Sequence, residues 1–371
     1  MMLKLIDASD LLIDTPLDEA LFDANGRLLL DKGVVISSTM KSKLLQIGYR
    51  VVTDNPHQAK AGAQAETSKQ SCFATTQYAA HTLRMILSDF LAGRHLDAFA
   101  ERIQSLAIRL IQACQTDPEA AIAAVHLYHE GDYAIRHHLS VGVVTAVLAQ
   151  TDDRITAEDG RWLVCAALTH DVGIVHLANT DARLSEEERE LIQRHPTLSS
   201  SALQQVGIVQ PIWLDAVSQH HERLDGSGYP YKLDESSISL PGRLLAVADV
   251  YCAMTRPRPY RARAYFAMAA MRDLYVEQSH QLDHGLIQLL IKTLGLIPPG
   301  SLVKLKNGET AVVKKCCTQG TPLSYALMTA AGAPIMPPER RDTKDSSLTI
   351  VGRVDPEGCQ HLQGLIRSLW A

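Results

Sequence analysis

At 371 residues, 46 % hydrophobic and 21 % charged, the chain has material for two or three globular domains with ordinary cores. Its net charge of −5 argues against a partner that is a nucleic acid polymer or an anionic membrane, either of which needs a basic surface. No apolar run approaches the ~18–20 residues of a membrane span, and the N-terminal stretch carries acids where a signal peptide is apolar, so the expected compartment is cytoplasmic.

Residues 15–35 read as a hairpin, with apolar runs flanking Asn25-Gly26, a pair that tolerates the positive φ angles of a tight turn. Ser37 or Ser38 then caps a short helix ending at Gly48, followed by another strand. Together these form a small α+β N-terminal module over residues 1–54. The polar, Ala/Gln-rich stretch 55–75 has little to bury and is predicted to be a flexible linker. Residues 76–295 are helical almost throughout: "AFAERIQSLAIRLIQACQ" and its neighbours repeat apolar residues every three or four positions. Gly173 and Gly207 are predicted to end two of these helices. Residues 296–371 switch to Val/Thr/Leu alternation around Asn307-Gly308, a β-rich C-terminal appendage. Seven cysteines, an odd number without a CxxC pair, are expected as free, mostly buried thiols.

The chemistry sits in the helical middle. His137, His170 with Asp171, His195, and the adjacent pair His220 and His221 recur along it. Singly these are weak signals, since a lone helical histidine is usually a surface or satisfied core group. Asp249 is stronger: flanked by "LLAVA" and "VY" it is predicted to be buried, which is costly for a carboxylate unless it is paired or meets a cation. His220 and His221 open "HHERLDGSGYP", where Gly226, Gly228 and Pro230 make a tight loop.

In chain order "DYAIRHHLSV", "HDVG", "RHP", "HHERLDGSGYP" and "AVADVYCAMTRPRPYR" resemble the HD-GYP family, the cyclic-di-GMP phosphodiesterase branch of the HD metal-dependent phosphohydrolases. The likeness covers residues 125–275 in detail. It implies a mainly α fold, an HD-type helical bundle between the two smaller modules. Carried over residue by residue, it puts metal ligands at His137, His170, Asp171, His195, His220, His221 and Asp249. One ion would be held by His137, His170 and Asp249, the other by His195, His220 and His221, with Asp171 bridging. His170 and Asp171 are the expected catalytic pair. Two divalent metal ions are implied, iron or manganese rather than magnesium for a ligand set rich in imidazole. The implied reaction is hydrolysis of cyclic-di-GMP to linear pGpG, or onward to GMP, by a metal-bridging hydroxide. Gly228 and Tyr229 would wall the substrate, Arg258 and Arg261 would grip phosphate, and signalling-protein partners would dock through the GYP loop.

Three positions depart from the family pattern. Ile174 replaces a lysine, Cys252 an aspartate, and Tyr133 a glutamate found in three-metal members. The first two leave a second reading open: a catalytically weakened module that binds the dinucleotide or docks partners. A metal-free scaffold would have lost ligands, and all seven are present.

Overall fold

The computed structural model describes residues 2–6, 17, 21–23, 28–30, 33–34, 43–44, 49–52, 71–175, 185–255, 266–278, 280–316 and 321–370. It divides into two units, Met1–Lys69 and Gln70–Ala371. In the first, β1 (Met2–Leu5), β2 (Leu21–Phe22), β3 (Leu28–Leu30) and β4 (Tyr49–Val52) form an antiparallel sheet in the order β1-β4-β2-β3. Ile6, Leu17, Leu21 and Leu44 make its small core. β2 and β3 pair on either side of Asn25-Gly26; that turn, the capping serines and Gly48 lie outside the described residues.

The second unit opens with α1 (Cys72–Leu91), so the helix begins inside the stretch read as linker. Next come α2 (Phe99–Thr116), α3 (Pro118–His126), α4 (Tyr133–Thr151), α5 (Ala157–Thr169), α6 (Glu186–Gln205), α7 (Pro211–Gln219), α8 (Leu240–Thr255), α9 (Ala267–Val276) and α10 (His284–Leu294). The apolar spacing decides which face each buries. α2 turns Phe99, Ile103, Leu106, Leu110 and Cys114 inward, one stripe at three- and four-residue intervals. α4 is apolar almost all round, and fifteen of its nineteen residues are buried. It is the axis of the bundle, with α2, α3, α5 and α8 packed against it. A capping box between Ser185 and Glu188 starts α6. Among the described residues no helix is long and apolar enough to cross a membrane.

β5 (Leu302–Leu305), β6 (Thr310–Lys315), β7 (Leu323–Met328), β8 (Pro334–Arg341) and β9 (Ile350–Arg353) form an antiparallel sheet in the order β8-β7-β6-β5-β9. The predicted hairpin at Asn307-Gly308 joins β5 to β6, with Gly308 at φ +88° and Glu309 N–H donating to Asn307 Oδ1 at 3.0 Å. The sheet belongs to the same unit as the helices. β5 and β6 are buried on both faces, by Cys359, Leu362 and Ile366 on one side and by Phe266 and Ile297 on the other. Six cysteines are described, five of them buried; Cys317 lies outside the described residues.

Candidate metal centre

Three histidines reach the centre from places where a helix leaves a carbonyl without its usual donor. His170 is the residue after α5, and its Nδ1–H donates to the Ala167 carbonyl at 2.8 Å. His220 follows α7 in the same way and donates to Val217 at 2.7 Å. Both carbonyls belong to last turns, where no further backbone N–H arrives. His195 lies inside α6, but the next residue is Pro196, which has no N–H to offer the Ile192 carbonyl four residues back. His195 Nδ1–H takes that place at 2.5 Å. In all three rings the proton therefore sits on Nδ1, and the Nε2 lone pair faces inward.

The inward atoms converge. His195 Nε2 is 3.0 Å from Asp171 Oδ1 and 3.1 Å from His220 Nε2, which is itself 3.7 Å from that same oxygen. The other oxygen, Oδ2, lies 3.4 Å from His170 Nε2. On the far side His137 Nε2 is 2.8 Å from Asp249 Oδ1, and His170 Nε2 is 3.8 Å from it. Asp171 thus divides the cluster, one oxygen toward each half. His221 completes the half of His195 and His220, its ring 4.2 Å from that of His220 and 4.8 Å from that of His195. The seven predicted ligand positions share one site, and it is closed around His170 and His220 but opens where Asp171, His221 and Tyr229 are partly exposed.

Burial alone raises the Asp171 carboxyl, yet the charges of His170 and His195 hold it well below the usual carboxylate range. Asp249 behaves alike through its hydrogen bond to His137. Burial lowers His137, His220 and, most strongly, His221. At His195 burial also lowers, but the neighbouring Asp171 carboxylate reverses the sign. The outcome is two ionised carboxylates, with His137, His220 and His221 biased toward the neutral imidazole. In their neutral, Nδ1-protonated forms His195 and His220 would set two lone pairs 3.1 Å apart, and His170 Nε2 is buried with no hydrogen-bond partner among the described residues. Positive charge in the middle answers both, and residues of this kind in two groups fit divalent cations.

The loop after His221 is shaped by Gly228, expected from the sequence, and by Glu222, which was not. Glu222 is 2 % exposed, and its carboxylate accepts from Tyr231 N–H at 2.6 Å and Leu233 N–H at 2.9 Å. Gly228 is buried because the chain folds back there: a Cβ would stand 2.3 Å from Arg223 N. That places Gly228 against backbone, while Tyr229 stacks on His221 with centroids 4.7 Å apart and stays partly exposed. Gly173 does not end a helix through a left-handed residue. It lies in a 3-10 turn packed on α6, where its N–H donates to Ser199 Oγ at 3.0 Å and a Cβ would meet Ser199 N at 2.9 Å. This close approach brings Asp171 to His195. Gly207, at φ +84°, does follow the end of α6. Ile174 is buried at 8 %, as is Cys252 at 1 %. Arg258 and Arg261 lie outside the described residues. His138, uncounted from sequence, is fully buried beside His170, ring centroids 4.7 Å apart, and burial pushes it down to about 3.

Residues 96–286 match the HD domain family model. The chain is 32 % identical over 203 residues to "Cyclic di-GMP phosphodiesterase PA4108" of Pseudomonas aeruginosa, covering 53 % of this chain and 48 % of that protein. It is 37 % identical over 136 residues to "3'3'-cGAMP-specific phosphodiesterase 1" of Vibrio cholerae, covering 36 % and 31 %. It therefore spans about half the length of the first relative and less of the second. A solved structure, "Bd1817, a HDG"Y"P protein from Bdellovibrio bacteriovorus", has a TM-score of 0.51 at 18 % identity, covering 77 % of this chain and 97 % of that one. At that identity the likeness is one of fold.

Proposed function

Because the chain belongs to the HD-GYP branch of the HD domain family, we propose that it is a metal-dependent phosphodiesterase that hydrolyses cyclic-di-GMP to linear pGpG or onward to GMP. The observation that carries this reading is Asp171, with one oxygen toward His195 and His220 and the other toward His170. His137, His170 and Asp249 would hold one cation, His195, His220 and His221 a second, and Asp171 would touch both. Two divalent ions, iron or manganese, would supply Lewis acidity toward the phosphate and a water of lowered pKa. The protein's own contribution is orientation: the carbonyls of Ala167, Ile192 and Val217 lock three imidazoles in the tautomer that offers Nε2. Glu222 braces the loop that carries Tyr229 to the open side, where a base or ribose of the substrate would rest.

With manganese or iron supplied, the purified protein is expected to turn over cyclic-di-GMP, and His170→Ala or Asp171→Ala to abolish it. Undiminished turnover by Asp171→Ala would end the proposal. A 3'3'-linked guanine–adenine cyclic dinucleotide belongs in the same assay, since relatives of both names match this chain. A second reading has its own support in Ile174, buried and uncharged, which offers no ammonium to a phosphate. Tight dinucleotide binding by metal-loaded protein without product would favour that weakened sensing module.

A further inference from the structure

Of the imidazoles buried in the centre, His137 stands apart. Its Nδ1 is buried and has no hydrogen-bond partner among the described residues, so no carbonyl fixes the ring as one does for His170, His195 and His220. It lies inside α4, where the nearby Ala134 carbonyl takes the Nδ1–H of His138 at 2.6 Å. What does lie along the His137 ring is Tyr133, four residues back and so on the same face of the helix. The two rings are nearly parallel, 10° apart, with centroids separated by 5.4 Å, an offset stack. His170 meets the same imidazole edge-on at 5.3 Å and 65°. Between a flat face and an edge, the ring can turn little about its own bond.

We propose that Tyr133 is a positioning residue for His137: its ring plane does for this histidine what a freed carbonyl does for His170, His195 and His220. The inference rests on the metal reading of the centre and concerns only the half formed by His137, His170 and Asp249.

Two substitutions separate the flat face from mere bulk. Tyr133→Phe keeps the ring, and Tyr133→Leu fills the space without it. The full-length proteins are equilibrated with graded free manganese, and ions per chain are counted by elemental analysis. Wild type and Tyr133→Phe are expected to load two ions alike. Tyr133→Leu is expected to load one ion normally and the second about ten-fold more weakly, as loss of a group that orients a ligand does. The normally loaded ion reports that the Leu protein is folded. Wild-type loading by Tyr133→Leu would overturn the assignment, as would equal weakening in the Phe protein, which would move the role to the hydroxyl. Loss of both ions in the Leu protein would make Tyr133 a general support of the centre and overturn it too. Manganese absent from all three proteins would sink the metal reading itself, and this role with it.

Discussion

At the scale of single residues, the centre supplies three of its imidazoles, His170, His195 and His220, with an acceptor that normal helix hydrogen bonding has left over. Pro196 is the most economical instance: by withholding one N–H it frees the carbonyl that aims His195. Pro196→Ala restores that N–H, and the Ile192 carbonyl should return to the helix ladder. The expected result is a thermal midpoint no lower than wild type, because alanine suits a helix interior far better than proline. Manganese affinity should fall about ten-fold. A variant that loses stability but keeps its affinity would show that the proline serves packing instead.

At the scale of elements, the GYP loop is held to its own start by one buried carboxylate. Glu222 satisfies two backbone N–H groups from across the turn, and Gly228 lets the returning chain lie against Glu222 and Arg223. In Glu222→Gln the amide accepts through one atom only, so one of the two N–H groups loses its protein partner, at a cost of about 1 kcal/mol. Hydrogen exchange should quicken across residues 222–233, and KM for the dinucleotide should rise more than kcat falls. Unchanged exchange in that segment would refute the bracing role. The 3-10 turn at residues 172–174 does a comparable job for Asp171: glycine at 173 permits contact with α6, and α6 carries His195.

At the scale of the whole molecule, the buried histidines tie stability to pH. In the metal-free protein burial holds His137, His138, His220 and His221 below the free value near 6.5, so they stay neutral in the folded state while the unfolded chain takes up protons. Stability is thus complete above about 6.5 and is lost as pH falls from there toward the folded values, about 3 for His138. His195 is shifted upward and works the other way, one ring against four. Chelator-treated protein should therefore unfold at lower denaturant at pH 5.5 than at pH 7.5; equal midpoints would contradict neutral burial. At pH 7.5 manganese at a hundred times its dissociation constant should add about 2.7 kcal/mol, and its absence from the unfolding curve would count against the site.

Much of this was legible in the residues. Apolar spacing marked the helices, Asn307-Gly308 marked the hairpin, and Asp249 announced its burial, because each depends on neighbours along the chain. The ligand set was readable only as a resemblance. Its meeting at one point, and the division of labour between the two oxygens of Asp171, needed α4, α5, α6, α7 and α8 to pack together. Glu222 and Tyr133 gave no warning of their contacts, since a carboxylate or a tyrosine declares its partner only when the fold brings that partner near. Periodicity is local and survives in one dimension, whereas ligation and bracing are contacts between distant segments that only tertiary packing creates.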